Sequence, residues 1–594
     1  MKHLVDVFKQ RCAQDPHKTA FLIKQEGKWN PVTWSEADQQ SDRVAAGLLS
    51  LGIQPGSVVC ILGNTRLEWT LSDVGALKAG CKSVGIYQTL SGEQAAYILR
   101  DSNAKVLFIE DPAQIDKISP HLEDLPGLEH LVAWDGPAEG VKTVTLQALM
   151  AMGEAAIASD PECVDQIGKQ IQSEDTAIII YTSGTTGPPK GACLTHKNFL
   201  AELDATDVIS QEDVGDIMMF FLPLAHVGER IAQFMRIHRG IAGAYVRDIT
   251  KILDDIKEIR PTFFGSVPRI FEKAYGRIRS QVDEAPPFRQ KLFYWAEKTG
   301  RAVSRKIQSG ETVPTGLSLR YKLADTLVFK KVRDIFGGRV GYFLSSAAPI
   351  SVEIIEFFHA CGMVILEGYG QTEVSCFCTL NRPDAYRFGS VGQALPGVEL
   401  KIAEDGEVMV KGDIVFKGYL NQPELTERTL TRDGWIYTGD IGRIDADGFL
   451  WITGRKKDII ITSGGKNVTP SNIENMIMNH PLIEYAMVHG DRRKYLTALI
   501  SLSPENLLAW AESNGYPGLG YEQVAALDAV KEEVQKAVNE ANAHLANFET
   551  IKKFVVLPNP LSIETGELTP TMKVRRNIVE EKYRNMLDDL YKEK

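Results

Sequence analysis

The chain's sequence predicts an α/β fold: a large, multi-layer N-terminal domain that includes a β-rich subdomain, followed by a small α+β domain. Three observations lead there. Apolar strand-like runs alternate with amphipathic segments from the start of the chain. The glycine- and hydroxyl-rich stretch Tyr181-Thr-Ser-Gly-Thr-Thr-Gly-Pro-Pro-Lys190-Gly191 follows directly on the apolar run Thr176 to Ile180. The texture then changes once more after Gly454-Arg455.

Val58 to Leu62 and Ala104 to Ile109 read as strands, and Gln39 to Leu51 and Glu93 to Ser102 as helices. That alternation builds largely parallel sheets covered by helices. Between about residues 276 and 337 the chain turns helix-rich and basic, interrupted by the loop Gln308 to Gly316. Val408 to Val410, Gly434 to Tyr437 and Gly448 to Ile452 are short strand-like pieces punctuated by glycine and aspartate, which suggests the β-rich subdomain. Beyond them come a strand at Ile459 to Ile461, a helix from about Ser471, a strand at Leu496 to Leu502 and a long charged helix from about Tyr521 to Asn547. We place a boundary near Lys456, dividing residues 1–454 from 455–594; the second part is long enough for its own core.

At 594 residues the chain is several times a domain of about 100–150 residues, so more than one is expected. Its 44% hydrophobic and 24% charged residues are ordinary globular composition, which disfavours a disordered or fibrous chain. A net charge of -11 offers no general attraction to nucleic acid. The start Met1-Lys-His-Leu-Val-Asp-Val-Phe-Lys lacks the apolar core of a signal peptide, and no run approaches the roughly 18 apolar residues that span a bilayer. The eight cysteines contain no Cys-x-x-Cys pair; Cys376 and Cys378 read as small buried residues on one strand face. These features point to a soluble, reduced, cytoplasmic protein.

The Tyr181 to Gly191 stretch holds four Ser or Thr hydroxyls, three glycines and a lysine in eleven positions. Glycines admit a ligand close to the backbone, hydroxyls and amide N–H groups bond anionic oxygens, and lysine adds a point charge. Together they suit a polyphosphate. A Walker A loop needs Gly-Lys followed by Ser or Thr, whereas here the hydroxyls precede Lys190 and Gly191 follows it.

Four further motifs follow in order: Gly368-Tyr-Gly-Gln-Thr-Glu373, Tyr437-Thr-Gly-Asp440, Gly454-Arg-Lys-Lys-Asp458 and Gly566-Glu-Leu-Thr-Pro-Thr-Met-Lys573. Tyr369 between glycines can lay an aromatic face on a flat purine, and Thr372 and Glu373 offer hard oxygens suited to Mg²⁺. Asp440 can accept from both ribose hydroxyls, and Arg455 can bond the same sugar or phosphate. Lys573, on a loop with no helix signal, can neutralise charge building at an α-phosphate.

In this order the five motifs resemble the adenylate-forming superfamily of acyl-CoA synthetases, luciferases and peptide-synthetase adenylation domains, over nearly the whole chain. The resemblance implies an ATP site at Thr182, Ser183, Gly184, Thr185, Thr186, Gly187, Ala347, Ala348, Pro349, Tyr369, Gly370, Gln371, Asp440 and Arg455. Catalysis would rest on Lys573, Lys190, Thr372 and Glu373, with Mg²⁺ held by Glu373 and Thr185. The loop Ser345-Ser-Ala-Ala-Pro349 stands where the family more often has glycines, leaving its backbone contacts open. The implied reaction joins a carboxylate to AMP with release of pyrophosphate, then passes the acyl group to the thiol of CoA. The resemblance further implies that the small domain is mobile and would rotate between the steps about a hinge matching Lys457, bringing the turn Ser463-Gly464-Gly465-Lys466 to the active site.

Within the superfamily the chain looks most like the long-chain fatty acyl-CoA synthetases. Phe221-Leu-Pro-Leu-Ala-His226 matches a motif whose histidine borders the acyl site, and the helical insertion is one that small-acid ligases usually lack. Phe220, Phe221, His226 and Ile231 to Ile237 could line an apolar tunnel; core packing is the competing reading of Ile231 to Ile237. The insertion sets Arg289, Lys291, Lys298, Arg301, Arg305 and Lys306 beside Phe288, Leu292, Phe293, Tyr294 and Trp295. That mixture suits peripheral contact with an anionic lipid surface, against a solvated face whose aromatics pack inward.

The alternatives are an acyl-AMP ligase that loads a carrier protein, and a CoA ligase for a medium-chain or aryl acid. A P-loop NTPase would release orthophosphate and lacks its Gly-Lys-[Ser/Thr]; a non-catalytic scaffold leaves Lys190, Glu373, Asp440, Arg455 and Lys573 without purpose.

Overall fold

Parallel strands with helical crossovers form the centre of the chain. The computed structural model describes residues 1–182, 188–208, 215–248, 251–569 and 572–592, and its strand and helix statements concern these. An eight-stranded sheet runs in the order Gly418–Tyr419, Lys190–Thr195, Thr176–Thr182, Lys82–Ile86, Val58–Leu62, Ala104–Ile109, His130–Ala133 and Val144–Thr145. From Thr176–Thr182 onward the pairs are parallel, while Lys190–Thr195 and Gly418–Tyr419 add antiparallel strands at one edge. Val58–Leu62 is buried at every position, as expected of a parallel strand covered on both faces.

A second sheet runs Phe264–Ser266, Phe343–Ser345, Ile365–Tyr369, Thr379–Leu380, Gln393–Ala394; a third runs Ile217–Phe220, Ala242–Tyr245, Thr19–Gln25, Lys28–Thr33. Glu399–Ile402, Glu407–Lys411, Ile436–Ile444 and Leu450–Arg455 make an antiparallel four-stranded sheet. Past Lys456 the chain builds a three-stranded sheet, Ile483–His489, Leu496–Leu502 and Ile551–Val556, with its own apolar core around Ile477, Val488, Ile500 and Val534. These layers make a mixed α/β molecule with a larger N-terminal and a smaller C-terminal part.

The basic insertion is helical: Pro268–Asp283, Pro287–Gln308 and Thr315–Ala324, then a π-helical turn at Asp325–Phe329. Its aromatics divide. Phe293 is buried against Phe357, whereas Phe288 and Tyr294 face outward.

Two local expectations are corrected. The long helix from Tyr521 is broken into Tyr521–Ala525 and Asp528–Asn542, with Leu527 extended between them. Val524 and Val530 both sit in the core. In one straight helix six residues turn the chain by about 600°, which puts their side chains on different faces; the break lets both point inward. The second helix stops at Asn542, whose amide bonds both the N–H and the carbonyl of Ile551. Cys376 and Cys378 are buried, but they belong to a turn ahead of the strand Thr379–Leu380 and share no strand face. Ser375 and Cys376 carry positive φ of 59° and 133°, which breaks strand geometry there.

Candidate active site

The motifs meet at a cleft of about 2940 Å³ lined by residues from both sides of Lys456. Pairing of Thr182 with Lys190 makes the phosphate-type loop the connection of an antiparallel pair. Ser183, Gly184, Thr185, Thr186 and Gly187 lie outside the described residues. Tyr181, at the strand end, is buried and donates its hydroxyl to Asp101 at 2.7 Å, so it anchors the strand. The Lys190 ammonium stands 5.8 Å over the ring of Tyr419, whose hydroxyl donates to Glu373 Oε1 at 2.6 Å. Tyr419 was missed in the sequence; it arrives because Tyr419 pairs with Ala192 on the strand that begins at Lys190.

Asp440 and Arg455 face each other across an antiparallel pair. Arg455 Nε lies 3.1 Å from Asp440 Oδ1, and the Tyr369 hydroxyl donates to Asp440 Oδ2 at 2.7 Å. Arg455 and Tyr369, from two other motifs, thus share the carboxylate of Asp440, a residue only 3% exposed. Gly370 has a packing reason: a Cβ there would meet the Cys376 carbonyl oxygen at 1.8 Å. Gln371 leads into the single turn Thr372–Val374. Glu202, fully buried, accepts the Phe377 N–H at 2.8 Å and so supports the Ser375–Cys376 turn; no sequence signal marked it. Burial raises its carboxyl well above the usual range. Ala347, Ala348 and Pro349 line the cleft, with Ala347 at φ 72°, a left-handed conformation glycine adopts more readily.

From the C-terminal side, Lys573 enters the cleft on a tight turn. Thr569 N donates to the Lys573 carbonyl at 2.8 Å and Lys573 N to Thr569 Oγ1 at 3.0 Å. Glu567 anchors this loop by accepting from Lys582 and Tyr583, each at 2.7 Å. Lys573 is a solvent-exposed residue of the cleft lining. Burial in the cleft, then the like charge of Arg455, push its pKa down to about 8, with Asp440 opposing.

His226 caps the helix Val227–Arg239, its Nδ1 accepting from the Gly228 N–H at 3.1 Å. Burial and then the Lys573 charge lower its pKa to about 4. It is therefore neutral near pH 7, and with Nδ1 an acceptor its proton sits on Nε2. Phe221, Val227, Ile231, Ala232 and Met235 line the cleft beside it. Phe220, Phe234 and Ile237 turn into the core instead, so the helix period divides Ile231 to Ile237 between both roles.

Lys457 is exposed in the single turn Lys456–Asp458 that joins the two parts; its neighbour Lys456 bonds Asp405 at 2.5 Å and Glu407 at 2.8 Å. Gly464, Gly465 and Lys466 form a tight turn outside the cleft lining, with Gly465 at φ 72° and Lys466 5.8 Å over the Phe548 ring. The structure does not bring them to the other site residues.

A divalent cation finds partial provision here. Glu373 Oε2 accepts no hydrogen bond from the described residues and the residue borders the cleft. One carboxylate suits Mg²⁺, which commonly takes one or two together with substrate phosphates and water. Among the described residues no cluster of three or more His, Cys, Asp or Glu forms a metal cage.

The fold and this cleft define a nucleotide-dependent adenylate-forming class. The chain belongs to the AMP-binding enzyme family: that family's model matches residues 8–420, and the AMP-binding enzyme C-terminal domain matches residues 457–594. It is similar to a long-chain-fatty-acid–CoA ligase of Mycobacterium bovis, 37% identical over 97% of this chain and 95% of the relative. Another long-chain-fatty-acid–CoA ligase, from Xenopus laevis, is 32% identical over 97% of this chain and 82% of the relative. Among solved structures, an anthranilate CoA ligase in complex with anthranoyl-AMP superposes with a TM-score of 0.74 at 21% identity, covering 99% of this chain and 98% of the other. A fatty acyl CoA synthetase of Mycobacterium tuberculosis gives 0.63 at 23% identity, covering 99% of each. At such identities the likeness speaks for the fold.

Proposed function

We propose that this protein activates a long-chain fatty acid with ATP, forming acyl-AMP and pyrophosphate, and then transfers the acyl group to CoA. The observation that carries this reading is the convergence, in one cleft, of Lys573 from the C-terminal part with Asp440, Arg455 and His226 from the N-terminal part.

In this reading Tyr369 stacks on adenine while Asp440, aligned by Arg455 and by the Tyr369 hydroxyl, takes the ribose. Lys190 and the hydroxyls of the preceding loop hold the β- and γ-phosphates. His226, neutral with its proton on Nε2, donates toward the substrate carboxylate. Lys573 neutralises charge as that carboxylate attacks the α-phosphate, and no protein nucleophile is required. Mg²⁺, held by Glu373, would supply further charge neutralisation on the phosphates. For the second step the C-terminal domain turns at Lys457 and exchanges Lys573 for the Gly464-Gly465-Lys466 turn, whose glycines admit the pantetheine arm.

Substrate length follows from the apolar wall. Each buried methylene contributes about 0.8 kcal/mol, or about fourfold in apparent affinity. We expect a panel of acids with ATP and CoA to release pyrophosphate with kcat/KM climbing with chain length. Preference for an aryl acid would reject the long-chain reading. Adenylate formation without acyl-CoA would instead favour transfer to a carrier protein.

The insertion supports a further partner, an anionic membrane surface. Leu319, Leu323 and Leu327 are exposed and spaced along one helical face, and Arg320, Lys322, Lys330 and Lys331 flank them with no ion-pair partner among the described residues. An apolar stripe between cations suits the headgroup boundary. Among the described residues no helix is long and apolar enough to cross a membrane. The full chain should sediment with vesicles containing phosphatidylserine and lose that binding when Leu319 and Leu323 become serine. Equal sedimentation of wild type and variant would reject this surface.

A further inference from the structure

We infer that Arg269 is a positioning residue for adenylation: it holds the C-terminal domain, and through it Lys573, in the arrangement that forms the acyl-adenylate. The inference rests on the two-step reading above.

Arg269 lies in the first turn of the helix Pro268–Asp283, which follows the strand Phe264–Ser266 beside the Ala347 loop. Its Nη2 donates to Glu484 Oε1 at 2.7 Å, across the cleft between the two parts of the chain. The guanidinium also stands 5.7 Å over the ring of Tyr485, the next residue. Both charged side chains are largely shielded, at 26% and 16% exposure, so water and salt screen the pair less than an open surface bridge.

Glu484 is well placed to transmit this hold. Its strand, Ile483–His489, carries Met487, which packs with Leu499, Leu557 and Leu568 in one apolar cluster. Leu568 bridges Val574, and Lys573 lies between them on the same turn. A side-chain contact at Glu484 therefore sets the place of Lys573 through a packed strand and not through a flexible loop.

Release is also provided for. Arg269 Nη1 lies 3.4 Å from Glu272 Oε2, one turn along its own helix. When the C-terminal domain rotates and takes Glu484 away, Arg269 keeps a carboxylate. A charge left uncompensated in a shielded place would make opening costly; the second carboxylate lets the contact break and re-form in each cycle.

The test separates the two half-reactions of the full-length enzyme. Arg269→Ala and, as a shape-preserving variant of the partner, Glu484→Gln should each slow single-turnover pyrophosphate release by about tenfold, within the usual range of coupling between sites. Thioester formation from synthetic acyl-adenylate and CoA should be unchanged or faster. The double variant should be no slower than either single one, and Arg269→Lys should recover part of the loss. Equal loss in both half-reactions, or additive effects of the two substitutions, would overturn the positioning role. Wild-type rates in both variants would do so as well. A wild-type enzyme that makes no adenylate would instead overturn the functional reading, and this inference with it.

Discussion

Lys573→Ala will slow acyl-adenylate formation by roughly 10²-fold or more, the usual consequence of removing a preorganised charge from a developing anion. The half-reaction from synthetic acyl-adenylate to acyl-CoA should survive, because in the proposed second step the C-terminal domain carries Lys573 out of the cleft. Single-turnover measurements of both halves check this, and equal losses in both would make Lys573 a structural residue. The same lysine sets a pH dependence. With its pKa lowered to about 8, the ammonium is present below that value and is lost as pH rises through it. Since kcat/KM reports the free enzyme, its value for adenylation should fall on the alkaline side with a midpoint near 8. Lys573→Arg, which stays charged, should remove that limb whatever its absolute rate.

Asp73→Ala will destabilise the N-terminal part by about 3–5 kcal/mol, the cost of leaving one member of a buried ion pair alone. Asp73 and Arg230 are both fully buried. Arg230 Nε and Nη2 donate to the two Asp73 oxygens at 3.0 and 2.8 Å, Nη2 also donates to Ser83 Oγ at 2.7 Å, and Gln233 adds a bond to Asp73 at 3.0 Å. The guanidinium lies 4.4 Å over Trp69. Removing the carboxylate leaves the fully buried guanidinium without its ion-pair partner. Chemical denaturation should show the loss, and Asp73→Leu combined with Arg230→Met should restore much of it, since a well-packed apolar pair avoids desolvation altogether. The prediction fails if Asp73→Ala unfolds at the wild-type denaturant concentration. Arg230 lies four residues after His226 and bonds the Leu224 carbonyl at 3.2 Å, so the pair also holds the loop that carries the histidine.

How much of this was legible varies with the range of the interaction. Tyr369, Asp440 and Arg455 could be marked from sequence because each sits in a compact motif of glycines and polar residues. That they share one carboxylate could not be read, because the register pairing Asp440 with Arg455 is set by a β-bulged hairpin. Tyr419 left no signal: its role depends on pairing with a strand more than 200 residues earlier. Glu202 and Arg269 look like ordinary helix residues, and only the partner that packing brings to each gives it a task. The break at Leu527 was invisible for a related reason, since a continuous helical pattern does not reveal that Val524 and Val530 must face the same core.

Local sequence by itself determined the α/β class, the place of the turn-rich loops and the chemistry available in each motif. Side-chain period, glycine and proline act over a few residues, so these features need no knowledge of distant partners. Tertiary structure alone decided which side chains converge, which carboxylates lose their water, and that Lys573 stands in the cleft while Lys466 stands outside it. Those outcomes depend on strand order and on the orientation of one domain against the other, where free energy is summed over contacts between residues hundreds of positions apart.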